Sequence, residues 1–97
     1  MGQYRKKPVV IEARQYDGSF DMNREIIDWT RGTATPAFMD KTVIGKPGEP
    51  RDGLSVLKIR TLEGDHRVDV SDWVIRGVKG EFYPCKPDIF AATYERV

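Results

Sequence analysis

The fold is decided by residues 72–90, whose sequence is DWVIRGVKGEFYPCKPDIF. Two strand-like segments, Trp-Val-Ile at 73–75 and Glu-Phe-Tyr at 81–83, flank a short segment that begins with Gly77 and ends with Gly80. Glycine readily adopts the backbone angles of a tight turn, so this pattern predicts a β-hairpin. The hairpin is the point from which the rest of the chain can be assigned.

The adjacent aromatic residues Phe82 and Tyr83 lie in the second strand of this hairpin. Because neighbouring residues of a strand point to opposite faces, we expect one of the two in the core and the other outside it. Asp88 is suited to cap a single helical turn over 89–91. Residues 93–97 are then predicted as a closing strand.

A second hairpin precedes the first. Apolar and polar residues alternate over 57–62 and again over 66–70, and the sequence Glu-Gly-Asp at 63–65 is typical of a tight turn. These patterns predict two antiparallel strands.

The first half of the chain predicts a strand over 8–16 and a helix over 21–31, with Asp21 as N-cap and Gly32 following the helix. Residues 35–39 form a candidate edge strand, because proline is tolerated there. The segment 46–53 has two prolines, two glycines and no apolar residue, and is predicted to be a loop.

Together these elements predict one small α+β domain over residues 1–97. Its antiparallel sheet is expected to be strongly curled or partly closed as a barrel, with one α-helix packed on it. The expected core residues are those on the apolar face of each predicted helix or strand: Val9, Ile11, Ile26, Leu57, Ile59, Val68, Ile75 and Phe90.

Composition excludes several kinds of site. The net charge is +1, which gives no strong signal for nucleic acid. One cysteine and one histidine exclude a cysteine-based zinc site or a multi-histidine site within one chain, and we expect neither a metal nor a cofactor. The longest apolar run, 8–11, is far shorter than the ~20 residues of a membrane span, so no membrane partner is expected.

A ligand site is predicted around the 72–90 hairpin. Arg76, Lys79 and Lys86 are candidates to bind phosphates, and Tyr83 or Trp73 to stack on a base. Glu81 and Tyr83 follow the turn at strand spacing, on one face. The alternative interpretation is structural: a hairpin turn with solvated cations, and aromatic residues in the core.

No catalytic residues are predicted. The carboxylates of Asp69 and Asp72, or of Glu81 and Asp88, have no spacing that selects an acid–base pair. Cys85 has only His66 as a possible base, and nothing in the sequence places the two together.

Two segments resemble a widespread group of small proteins encoded by bacteriophages and prophages. The opening segment of that group is similar to residues 4–13, YRKKPVVIEA, and its closing segment is similar to residues 72–90 followed by Thr93-Tyr-Glu95. Residues 33–56 carry no such resemblance. The group often has Pro-Gly-Asp before the tryptophan, where this chain has Val-Ser-Asp at 70–72. The resemblance implies a location in the cytoplasm of an infected bacterial host, but it carries no activity that transfers residue by residue.

The leading hypothesis is a phage accessory protein that acts against host functions by stoichiometric binding. In one version it sequesters an anionic, nucleotide-like immune signal, in a pocket that a homo-oligomer would form best. In another it is a protein-interaction module that inhibits a host enzyme through an exposed sheet edge or the 46–53 loop. A small phosphodiesterase and a virion component are the third and fourth alternatives.

Overall fold

The computed structural model describes residues 2–5, 7–42 and 54–97. The predicted loop at 46–53 lies outside the described residues. The elements, in chain order, are β1 (Glu12–Gln15), α1 (Phe20–Thr30), β2 (Ala37–Thr42), β3 (Leu54–Thr61), β4 (Gly64–Val68), β5 (Trp73–Arg76), β6 (Phe82–Cys85) and α2 (Pro87–Thr93).

The six strands form two antiparallel sheets. The order is β1-β5-β6 in sheet A and β2-β3-β4 in sheet B. The predicted small α+β fold with antiparallel pairing is therefore confirmed. The described strands divide between two sheets and form no closed barrel, so partial closure stays a prediction. A second helix, α2, joins the one that the sequence predicted.

Helix α1 begins slightly earlier than predicted because Ser19, rather than Asp21, is its N-cap. The Ser19 hydroxyl accepts a hydrogen bond from the backbone N–H of Met22 at 3.1 Å. The helix ends at Thr30, and Gly32 follows with a φ of +79°, a left-handed conformation that favours glycine.

Strand β1 is shorter than the predicted strand over 8–16. Its partner β5 ends at Arg76, which pairs with Glu12, so strand pairing between the two ends there. Residues 7–11 belong to no strand, and Val9 and Val10 are 44% and 80% exposed. The expected burial of Val9 is wrong for this reason.

The predicted closing strand over 93–97 is also wrong. Helix α2 extends to Thr93, and residues 94–97 belong to no helix or strand. Pro87 stands in the first turn of α2, where its fixed φ and missing N–H fit a helix. The helix therefore starts before the predicted turn at 89–91.

The main core lies between α1, sheet B and one face of the β5–β6 hairpin. Its buried residues are Tyr16, Ile26, Ala37, Leu57, Ile59, Val68, Val74 and Phe82. Five expected core residues are confirmed as buried: Ile26, Leu57, Ile59, Val68 and Ile75. Ile11 and Phe90 are only half-buried. As expected for the aromatic pair, Phe82 is buried in this core, whereas Tyr83 lies on the other face.

Two buried threonines connect the layers. The Thr30 hydroxyl accepts from the backbone N–H of Ala37 at 2.8 Å, which joins α1 to β2. The Thr35 hydroxyl accepts from the backbone N–H of Phe82 at 2.7 Å, which joins the segment before β2 to sheet A. Each hydroxyl satisfies a buried donor that has lost its hydrogen bonds to water.

We expect Thr35→Val to lower the free energy of unfolding by about 1–3 kcal/mol, because valine keeps the shape but leaves the N–H of Phe82 without an acceptor. Urea unfolding followed by tryptophan fluorescence measures the change. Thr35→Ser keeps the hydroxyl and is the matched control, with a smaller expected loss. Equal stability of wild type and Thr35→Val would contradict this role.

Candidate functional site

The structure distributes the six predicted site residues along the β5–β6 hairpin. Arg76 pairs with Phe82 next to the turn, and Trp73 pairs with Cys85 at the opposite end. Trp73 and Arg76 are three steps apart along β5, which is roughly 10 Å. Arg76, Lys79 and Glu81 therefore group at the turn, Trp73 and Lys86 at the far end, and Tyr83 between them.

The glycine turn satisfies its own backbone. The N–H of Gly77 donates to the carbonyl of Glu81 at 2.7 Å, and the N–H of Gly80 donates to the carbonyl of Gly77 at 3.0 Å. The carboxylate of Glu81 also lies over Gly77, where a Cβ would collide with its Oε1 atom. Neither glycine N–H is free for an anion, and a negative charge covers the turn.

Arg76 and Lys79 are exposed at this end of the hairpin. Neither has an ion-pair partner within the described part of the chain. Arg76 lines a depression of about 230 Å³ that also contains the carboxylate-bearing Glu12. These two cations without ion pairs among the described residues lie near the turn, and so do the carboxylates of Glu12 and Glu81.

Lys86 is held by carboxylates. Its Nζ atom lies 2.9 Å from Oδ2 of Asp69 and 3.1 Å from Oδ2 of Asp72, whose side chain is 3% exposed. The same Asp72 oxygen accepts from the backbone N–H of Asp69 at 2.9 Å. The charge of Lys86 thus stabilises the β4–β5 turn, and a phosphate would have to compete with two carboxylates for it.

This cluster makes stability depend on pH in a defined direction. The hydrogen bond from Lys86 lowers the pKa of Asp69 from its ordinary value of 3.8, and hydrogen bonds to Asp69 and Asp72 raise the pKa of Lys86 above 10.5. The contribution of Asp69 to folding stability is fully present above pH 3.8, and it is lost as the pH falls through the lower pKa that Asp69 has in the folded chain. The contribution of Lys86 to folding stability is fully present below pH 10.5, and it is lost as the pH rises through the higher pKa that Lys86 has in the folded chain.

We therefore expect Lys86→Met to be less stable than wild type between about pH 4 and pH 10, with the difference shrinking in acid as Asp69 becomes protonated. Thermal melts across this range measure the effect. Lys79→Met, which removes an exposed lysine without an ion pair, is the control and should follow wild type. A pH-independent difference for Lys86→Met would show that the ion pairs do not cause it.

The aromatic residues on the outer face of sheet A contact one another. The rings of Trp73 and Phe90 stack at 4.1 Å with an angle of 6°, and Phe90 contacts Tyr94 at 5.2 Å. Burial and a hydrogen bond with Tyr94 raise the pKa of Tyr83. One face of Trp73 is thus used within the fold, and Tyr83 is held as a neutral phenol.

An apolar cavity of about 520 Å³ lies beside this stack. We call this cavity the aromatic groove. It is formed between residues 9–13 and the C-terminal segment. Its lining side chains are Val9, Val10, Ile11, Ala13, Trp73, Phe90, Tyr94, Glu95, Arg96 and Val97. Apart from Trp73, none was a predicted site residue, because the groove is assembled from the two ends of the chain. The signal available in the sequence was the set of apolar residues at both ends.

A second cavity, of about 390 Å³, lies between the β3–β4 hairpin and β6. It includes Glu81 and Tyr83, as well as Glu63, His66 and the fully exposed Leu62. Two carboxylates on its wall disfavour an anionic ligand.

Among the described residues, the acidic pair and the thiol that the sequence offered for catalysis are not arranged for it. Asp69 and Asp72 are engaged by Lys86, and burial raises the pKa of the Cys85 thiol, which is the opposite of nucleophile activation. Among the described residues, no group of three or more histidine, cysteine, aspartate or glutamate side chains is placed to hold a metal ion. In the same residues, no helix has the length and hydrophobicity to cross a bilayer.

Comparisons of the chain with protein-family models, with curated proteins and with solved structures find no match.

Proposed function

We propose that this protein is an interaction module that binds a partner protein stoichiometrically, with the aromatic groove as its contact surface. The observation that carries the proposal is the groove itself: an open apolar cavity of about 520 Å³ beside the Trp73–Phe90 stack. Aromatic residues in desolvated pockets contribute most of the binding energy at many protein interfaces.

The charge of the groove favours a protein over a nucleotide. Its charged lining residues are Glu95 and Arg96, whose charges cancel, so no net positive potential attracts phosphates. Its apolar walls suit an aliphatic or aromatic side chain of the partner instead. Val97 and Val10, both strongly exposed, would lose contact with water when such a partner binds.

The resemblance to phage-encoded proteins supports a host protein as the partner. In that setting the module meets its partner in the cytoplasm of the infected bacterium and inhibits it by occupying its surface. A domain of 97 residues can do this without catalytic groups of its own.

We expect the double variant Val9→Asp/Val97→Asp to bind the partner at least tenfold more weakly, because two carboxylates would have to be desolvated in an apolar contact. Affinity purification from host cells identifies the candidate, and titration of the purified candidate measures affinity. Both side chains are substantially exposed, so thermal melts should stay close to wild type.

Leu62→Asp is the matched control, since it places the same charge on a fully exposed apolar residue outside the groove. It should bind like wild type. Loss of binding in Leu62→Asp, with binding retained in the groove variant, would move the contact surface to the cavity between the β3–β4 hairpin and β6.

Sequestration of an anionic nucleotide is the second candidate. It is supported by Arg76 and Lys79, which are exposed and without ion-pair partners in the described chain. Binding at this place would rely on the two side chains, because the glycine N–H groups are already used.

If this second function holds, Arg76→Ala/Lys79→Ala should weaken nucleotide binding at least tenfold, since charge-assisted contacts contribute about 1.5–3 kcal/mol each. Glu81→Gln should strengthen it, because the carboxylate over the turn repels the anion. Calorimetric titration with linear and cyclic nucleotides measures both. Unchanged affinity in the double variant would overturn the nucleotide site.

A further inference from the structure

We infer that two copies of this chain associate through β1, edge to edge, with Ala13 of one copy opposite Ala13 of the other. This goes beyond the proposed function, because it assigns a second surface and commits to a second copy as its occupant. The joined β1 strands would make one continuous six-stranded sheet from two copies of sheet A.

The backbone of β1 provides the first observation. β1 is an outer strand of sheet A, and the N–H of Tyr16 donates to the carbonyl of Asp72 at 2.8 Å on its inner side. Backbone groups alternate in direction along a strand, so those of Ala13 and Gln15 point away from β5. An exposed row of donors and acceptors is a template for another strand.

Charge selects the occupant and its register. Glu12 and Arg14 are two residues apart and therefore lie on the same face of β1. When two copies pair in antiparallel orientation about Ala13, Glu12 of each copy lies opposite Arg14 of the other. Registers centred on Glu12 or Arg14, which keep the same hydrogen-bonding pattern, place like charges opposite each other.

Both charged side chains are suited to this contact. Arg14 is held in place, with its guanidinium 4.2 Å from the ring of Trp29 and 3.2 Å from the carboxylate of Glu25. Glu12 is exposed and has no ion-pair partner among the residues that the structure describes. The association gives this free carboxylate a cation on the partner copy.

The aromatic groove would be enlarged as a result. Ile11 and Ala13 line it; Ala13 lies at the axis that relates the two copies, and Ile11 lies two residues from it along the strand. A twofold axis perpendicular to the joined sheet keeps both grooves on one face. The two cavities then meet to form a single trough.

Charge-swapped variants test the pairing. Sedimentation velocity from micromolar to millimolar protein should show a dimer for wild type and at least about tenfold weaker association for Glu12→Arg, which places like charges opposite each other twice. An equimolar mixture of Glu12→Arg and Arg14→Glu should form a heterodimer. Wild type that stays monomeric over this range, or a Glu12→Arg dimer as tight as wild type, would overturn the inference.

Cysteine crosslinking tests the register without depending on the folding of Arg14→Glu. In a Cys85→Ser background, Ala13→Cys should form a symmetric disulfide between copies under mild oxidation, because the two residues face each other. Gln15→Cys is the matched control and should not form this disulfide, since residue 15 lies away from the twofold axis along the strand. Equal crosslinking of both variants would overturn the Ala13-centred register. Groove-dependent partner binding is measured separately, so either proposal can fail alone.

Discussion

The constraint on which the structure depends is that the β5–β6 hairpin is apolar on both faces. Val74 and Ile75 are adjacent in β5, point in opposite directions and are both fully buried. Each face therefore needs its own cover. Helix α1 and sheet B cover the face with Val74 and Phe82, and α2 lies against the other face through Phe90. The remaining elements are arranged to satisfy these two requirements.

Local chemistry allowed much of this fold to be predicted. Glycine turns, alternating apolar residues and a helical apolar stripe identified both hairpins and α1. The wrong predictions, the length of β1 and the closing strand, depend on residues that lie outside those segments. The length of β1 is limited by the end of β5 at Arg76, which no pattern within 8–16 records. The last four residues follow a helix that Pro87 starts early, and they belong to no strand.

The candidate site was less predictable, for a related reason. The sequence grouped six residues that are close along the chain, but an extended hairpin separates its two ends. Lys86 also finds its partners, Asp69 and Asp72, in a different turn, which removes it from the set of free cations. The aromatic groove joins residues up to 88 positions apart (97 − 9), so only the folded chain brings Val9 and Val97 to one surface.

Helix α2 covers only part of the outer face of sheet A. The aromatic groove and the outer edge of β1 therefore lie side by side. Helix α2 has seven residues, with none fully buried, and it leaves the strip between β1 and the C-terminal segment open to solvent. Ala13 lies on this strip, and its backbone also faces the outer edge of sheet A, where no other described strand pairs. Anything that binds this edge therefore changes one wall of the groove. If copies of the chain pair there, protein concentration and partner binding become linked by mass action, because the partner then binds an enlarged trough in place of the groove of one copy.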